Sequence, residues 1–421
     1  MICNGIETFR GRRVLMLQGP VGPFFCRLSR DFESIGALVF KVNFNGGDWL
    51  FYPRHSISYR GTLEEWPAFF ENLVIEHRID DVLLFGDCRP VHLAVRKIAM
   101  KRNLRIGVFE EGYVRPDYVT FELFGVNANS SLPRKADFYL NGALCSPPPQ
   151  EKVGKSYWYM AAWAVLYYLA SAFLNPLFPH YVHHRPLTLM ELFPWIRSAW
   201  RKLYYRVKER EIHGRLTKGF GGRYFLAPLQ VHNDSQLLVH SEFDSVHDFI
   251  KGVVDSFMMH APKDFLLVIK HHPLDRGYYD YSRLIRDLVK IHHLENRLLY
   301  IHDQHLPSLI RNACGVVVVN STVGYSALLH GKPVKCLGAA FYDIAGMTFH
   351  GTLDQFWLNA TTAKPARPLL QSFHKYMITR SQLNGSFYRR LKKNEDGAGL
   401  VWKHEINTEI NSHSENAHLF S

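Results

Sequence analysis

A chain of 421 residues is longer than one hydrophobic core organises efficiently, so two domains with additions are expected, and its 47% hydrophobic and 21% charged residues exclude a wholly disordered polymer. Lys and Arg outnumber Asp and Glu by 50 to 38, a formal charge of +12 that suits a phosphorylated substrate or an anionic membrane. With no zinc-finger spacing, RNP-type aromatic motif or dense basic helix, nucleic acid is not the expected partner.

The predicted elements alternate from the start. VLMLQ (14–18) reads as a buried strand, a Gly-Pro turn follows, and an apolar-periodic segment runs from Phe24 to Ile35. LVFKVNF (38–44) is a strand, and 63–78 is mostly helical with Pro67 near its first turn. DVLLFGD (81–87), a helix over 91–103 and the strand RIGVFEE (105–111) continue the series. From Tyr224 the alternation resumes: YFLAPLQV, a helix over 246–260 with Ser245 placed to cap it, FLLVIKHHP (265–273), a helix over 281–293, LLYIHD (298–303), GVVVVNST (315–322), a helix through Leu329 and VKCLG (334–338). Strands alternating with amphipathic helices predict parallel sheets covered on both faces, hence an α/β fold of two Rossmann-like domains facing across a cleft.

This gives an N-terminal Rossmann-like domain over 11–150, an aromatic helical insertion over 151–215, a C-terminal Rossmann-like domain over 216–365, a helix over 366–392 packing back, and a loose tail over 393–421. In the insertion, the 18 residues from Tyr157 to Leu174 carry no charge. That length sits at the lower bound for a membrane span, but the aromatic residues are scattered along it and both flanks are basic. A buried helix, an interfacial contact and a span all remain open, although a span separates the two halves of the cleft. The six cysteines (Cys3, Cys26, Cys88, Cys145, Cys314, Cys336) form no Cys-x-x-Cys pair and read as reduced thiols. MICNGIETFRGRR lacks the apolar stretch of a signal peptide, which points to the cytoplasm.

Three short motifs lie at strand ends, where open α/β sheets bind ligands: Glu110-Glu111-Gly112, His272-Pro273 and Asn320-Ser321-Thr322. A carboxylate there can take a proton from an acceptor hydroxyl or attack an anomeric carbon; an acidic turn is the plain alternative. Arg115 and Asp117 share the loop and can push neighbouring carboxyl pKa values apart. Lys270, His271 and His272 emerge in a proline-stiffened loop that suits a nucleotide phosphate, and Asn320, Ser321 and Thr322 open a helix, as an anion site or as a simple cap. Weaker candidates are Gly19 and Gly22 for a close ligand approach or a turn, Asp87 and Arg89 as cleft residues or as an ion pair holding their loop, and Gln230, Asp234 and Ser235 for a sugar or base. HYVHH (180–184) and HDQH (302–305) have no carboxylate or cysteine at familiar spacing, so no metal is expected, and neither a P-loop nor a dinucleotide fingerprint is present.

Taken together, QGPVGPFF, FGDCRPVH, FEEGYVRPDYVTFE, PLQVHNDSQ, KHHP and VNSTVGYSALLHGKPVKCLG resemble the KpsS/LipB-type capsule polysaccharide biosynthesis proteins of Gram-negative bacteria, from about Val14 to Gly338. The resemblance implies a GT-B-like, retaining β-Kdo glycosyltransferase. It further implies CMP-Kdo as donor, phosphatidylglycerol or its lyso form as acceptor, the cytoplasmic face of the inner membrane as workplace, and other capsule assembly proteins as partners. By similarity to bacterial sialyltransferases, which share an acidic-acidic-Gly motif for catalysis and an HP plus a Ser-Ser/Thr motif for CMP, it assigns chemistry to Glu111, with Glu110 as the alternative nucleophile, and the CMP grip to His272-Pro273 and Ser321-Thr322. Related two-module enzymes carry Asp at the position of Glu111, which keeps Asp117 among the candidates. No cofactor is implied. A non-catalytic assembly or export factor and a CMP-sialic-acid-type transferase are the alternative functions.

Overall fold

The computed structural model describes residues 5–142, 147–181, 192–233, 240–391 and 397–402. The N-terminal half is built from β1 (Arg13–Met16), α1 (Phe24–Ser34), β2 (Leu38–Asn43), α2 (Gly46–Phe51), β3 (Ile57–Ser58), α3 (Trp66–Glu76), β4 (Asp81–Phe85), α4 (Pro90–Lys101), β5 (Arg105–Glu111), β6 (Tyr118–Leu123) and α5 (Ala136–Asn141). Strands β3, β2, β1, β4 and β5 lie parallel in that order, and the apolar runs of β1 and β4 are buried. Buried Asp81 ties the strand starts together by accepting hydrogen bonds from the guanidinium groups of Arg12 and Arg105.

The alternation predicted a wholly parallel sheet, and the structure corrects this. β6 returns antiparallel to β5, pairing Glu110 with Thr120 and Glu111 with Val119. Gly112 permits that return: a Cβ there would lie 2.1 Å from the Tyr118 carbonyl oxygen. The outer edge is closed by β12 (Gln382–Asn384), which pairs antiparallel with β6 although it belongs to the far end of the chain. The long C-terminal helix therefore ends at Ser381, and the residues expected to finish it form a strand.

The second sheet contains β7 (Tyr224–Pro228), β8 (Leu266–Lys270), β9 (Leu298–Ile301), β10 (Gly315–Val318) and β11 (Val334–Cys336), all parallel in the order β11-β10-β7-β8-β9. Its helices include Val246–His260, whose first turn is capped by Ser245 Oγ accepting from the Asp248 N–H at 3.2 Å. Two Rossmann-like domains thus face one another, and one apolar cluster spans both: Tyr113, Leu132 and Tyr139 pack with Val268, Phe341 and Phe373. The tail expectation is corrected in part, because Ala398 and Leu400 are buried in the N-terminal core and Val401 bridges to Asn384. GAGLVW is an apolar run inside a polar tail, and it fills space beside Phe9 and Phe387.

The charge-free segment forms α6 (Tyr157–Phe173), which lies on α2. Two glycines make the approach possible: Cβ atoms at Gly46 and Gly47 would lie 2.4 Å from the Ala170 carbonyl oxygen and 2.5 Å from the Tyr167 ring. Tyr167 donates to Asp48 at 3.0 Å and accepts from Asn45 at 2.8 Å, while Ser171 Oγ accepts from the Gly47 N–H. The opposite face, with Trp158 and Phe173, is exposed. Among the described residues no helix is long and apolar enough to cross a membrane. A second helix, α7 (Leu192–Lys208), which the sequence reading did not single out, completes the insertion.

Candidate active site

Glu110 and Glu111 are the last residues of β5; their side chains start on opposite sides of the strand, but the Glu111 charge still acts on the Glu110 carboxyl. Both are half-buried. Glu110 Oε1 accepts the Glu111 N–H at 2.9 Å, and its other oxygen lies 3.4 Å from where a Gly86 Cβ would stand, so the carboxylate sits above the turn that follows β4. Burial, opposed by the Glu111 N–H bond and reinforced by the Glu111 charge, pushes its pKa up to about 7. Glu111 is held differently: its Oε1 accepts from the Tyr388 hydroxyl at 2.7 Å. Tyr388, just past β12, is in turn fixed by the Trp163 indole donating to its carbonyl at 3.2 Å. α6 and the C-terminal segment thereby hold one catalytic candidate.

The turn below Glu110 is built from the expected glycine-rich and FGDCRP loops, with altered roles. Gly86 has φ +69°, and its carbonyl meets His92 Nδ1 at 2.6 Å; burial drives the His92 pKa down to about 3, so that ring is neutral. Arg89 does not pair with Asp87. Its guanidinium donates to Gln18 Oε1 at 2.8 Å and lies over the Phe85 ring, whereas buried Asp87 accepts from Asn129 Nδ2 at 2.9 Å and from the Val126 N–H at 3.2 Å. Gly19 and Gly22 serve packing: a Cβ would meet the Phe25 ring at 2.8 Å and Trp163 at 3.0 Å, and Gly22 has φ +105°. Arg115 donates to the Gly112 carbonyl at 3.2 Å and stays in the hairpin turn. Asp117 is buried, accepting from Gln150 and from the Val153 N–H at 2.8 Å each, so it anchors the crossing to α6.

On the other domain, Gln230 and Asn320 come together, with Gln230 Nε2 donating to Asn320 Oδ1 at 3.0 Å. Ser321 caps the helix Thr322–Leu329 by accepting the Val323 N–H at 3.2 Å. His272 caps the turn Pro273–Asp275 through Nδ1, which accepts the Leu274 N–H at 3.2 Å. Lys270 does not reach the loop tip: it is buried, donates to the His302 carbonyl at 3.3 Å, and burial together with the nearby Arg276 charge lowers its pKa to about 8. His271 also faces inward, bonded to the Tyr300 hydroxyl at 2.6 Å. Fully buried Asp275 accepts from His232 N and Nδ1 at 2.7 and 2.6 Å, tying the loop after β7 to the His-Pro loop. Asp234 and Ser235 lie outside the described residues.

A short chain of contacts joins the two sides. Two residues beyond Glu111, Tyr113 stacks on Phe341 with centroids 3.8 Å apart. The next residue, Tyr342, donates to the Ser321 carbonyl at 2.5 Å. His240 from the second domain lies 3.7 Å from Cys88 Sγ and 3.4 Å from Asn129 Nδ2, beside the loop that carries Arg89. The acidic strand end is thus linked to the Ser321 helix start through Tyr113, Phe341 and Tyr342. Sequence reasoning missed Gln18, Gly86, His92, Tyr388 and the Tyr113–Phe341 pair. Tyr388 and Phe341 lie in loops without a recognisable pattern, and only tertiary contacts bring them to the site.

A family model described as capsule polysaccharide biosynthesis protein matches residues 80–388, a span holding both glutamates, His272, Ser321 and Tyr388. The chain belongs to that family. It is 43% identical over 381 residues to the capsule polysaccharide export protein KpsS of Escherichia coli, covering 90% of this chain and 97% of the relative. It is 41% identical over 391 residues to the capsule polysaccharide modification protein LipB of Neisseria meningitidis serogroup B, covering 90% and 92%. Among solved structures, the β-Kdo 2,7 transferase of Thermosulfurimonas dismutans KpsC aligns over 89% of this chain and 92% of its own at 15% identity and TM-score 0.43.

Proposed function

We propose that this family member is a retaining β-Kdo glycosyltransferase that moves Kdo from CMP-Kdo to a phosphatidylglycerol-type lipid, starting the glycolipid linker of a capsular polysaccharide. The observation that carries the reading is the pair at the end of β5: one carboxyl with a pKa near 7, the other pinned by a tyrosine hydroxyl. Two carboxyl groups with different environments suit a two-step displacement. Glu111 attacks the anomeric carbon and CMP leaves; the acceptor hydroxyl then displaces Glu111 while Glu110 takes its proton. Both configurational inversions together retain the β linkage. Asp117, committed to the backbone of Val153, is the weakest of the three acidic candidates.

The departing CMP phosphate is met by Nε2 of His272 and by the N–H groups at the start of Thr322–Leu329, with Gln230 and Asn320 beside the base or sugar. Such a grip has no need of a metal. The chain works on the cytoplasmic face of the inner membrane, where lipid acceptor and nucleotide sugar meet, alongside other capsule assembly proteins. Incubation with CMP-Kdo and fluorescent phosphatidylglycerol is expected to release CMP and yield a glycolipid, and Glu111→Gln to lower the rate by at least about a thousandfold while preserving the melting temperature. Undiminished activity after loss of both glutamates sinks the chemistry. One relative is named an export protein, which favours a second reading as a non-catalytic factor. That reading predicts CMP binding without CMP release from the donor.

A further inference from the structure

We infer that α7 is a membrane-docking helix that seats the protein on an anionic bilayer, with its outward face entering the interfacial region. Phe193, Ile196, Trp200, Leu203, Tyr204 and Val207 recur at three- and four-residue spacing and are each between 44 and 69% exposed. That spacing puts them on one stripe about 100° wide. Trp200 and Tyr204 stack at 5.4 Å, and the same stripe lines a shallow apolar groove with Val207 and Lys208. Solvated apolar stripes of this size are rare without a partner.

The charges choose the partner. The 17 residues of α7 include Arg197, Arg201, Lys202, Arg206 and Lys208 and no carboxylate. A cationic helix with a Trp-Tyr apolar face matches the physics of an interfacial helix on anionic lipid. A second copy seated face to face brings like cations together, which disfavours it.

The inner face of α7 is bolted to the donor-side domain. Arg197 Nε donates to the Gly277 carbonyl at 2.7 Å and Arg201 to the Arg276 carbonyl at 2.9 Å, both just after the His272 loop. Following the helix, buried Glu209 accepts from His302 N and Nδ1 at 2.8 Å each and from the Asp303 N–H at 3.0 Å. Burial opposes its charge, but those hydrogen bonds prevail and hold its pKa below the usual carboxyl range. Lipid contact at the outer face thus acts on a helix fixed beside the ends of β8 and β9, where His272 lies. The inference deepens the lipid-acceptor reading and rests on it for the choice of a membrane as occupant.

The test is flotation of the full chain with phosphatidylcholine vesicles, with and without phosphatidylglycerol, at low and high salt. Wild-type protein is expected to float with the phosphatidylglycerol vesicles and to be released by salt, and the double variant Trp200→Asp/Val207→Asp to lose about tenfold or more in partitioning. The charge-only variant Lys202→Glu/Arg206→Glu is expected to lose the preference for phosphatidylglycerol and serves if the first misfolds. Melting temperature and the thermal shift given by CMP check both variants, and CMP release from CMP-Kdo tests the transferase reading separately. Equal flotation of wild type and variants, or none for the wild type, overturns the inference. A doubled solution mass that the Trp200→Asp/Val207→Asp change abolishes assigns the stripe to a second copy and overturns it as well.

Discussion

Glu110 carries a pH signature. Its pKa rises from the usual 4.5 to about 7 on folding, so between those values the folded form holds a proton that the unfolded chain has released. The contribution to stability is present at low pH and is lost as pH climbs through 7. Buried Glu122, bonded to Tyr113 and Ser130 and also raised to about 7, acts in the same direction. Melting temperature is therefore expected to fall between about pH 4.5 and about pH 7, and Glu110→Gln to flatten part of that slope, as thermal melts across the range can check. If Glu110 takes the acceptor proton, kcat rises through about pH 7 in the wild type and loses that limb in Glu110→Gln. Tyr388→Phe removes one hydrogen bond, a loss of about 1 kcal/mol or roughly fivefold in kcat, with CMP affinity unchanged if the hydroxyl only aims Glu111.

At the scale of elements, glycines decide where helices and strands can approach. Gly47→Val drives a side chain into the Tyr167 ring and is expected to lower stability by about 1–3 kcal/mol by lifting α6 from α2, read as a lower melting temperature with changed Trp163 fluorescence. Loss of Ser245 as a cap has a smaller effect: Ser245→Ala costs about 1 kcal/mol, read as a slightly lower melting temperature. The strand β12 closes an edge that would otherwise expose unpaired backbone groups, and it delivers Tyr388 four residues beyond its end.

Across the whole molecule, the domains are joined by a shared apolar cluster and by the C-terminal crossing. Phe341→Ala removes the ring on which Tyr113 stacks and leaves a cavity between the halves. A stability loss of about 3–5 kcal/mol is expected and, on the proposed transferase reading, CMP binding is kept with turnover reduced. Calorimetry of CMP binding beside the CMP-release rate separates the two effects; a parallel fall in both rejects the division of labour between domains.

Local pattern carried much of this protein into view. Apolar runs of four to seven residues placed most strands of both sheets, Ser245 and Ser321 announced their helices, and Glu110, Glu111, His272 and Ser321 were singled out because strand ends are where such sheets meet ligands. The antiparallel β6, the strand β12, and the inward turn of Lys270 were not legible, since each depends on a neighbour distant in sequence: β5 beside β6, β6 beside β12, and the His302 carbonyl beside Lys270. Asp87 and Arg89 show the same limit: two opposite charges two residues apart were better satisfied by Asn129 and Gln18 than by each other. Hydrophobic period and capping act within a few residues and can be read along a chain, whereas hydrogen-bond partners and burial, and with them the pKa of Glu110, exist only once the chain has folded.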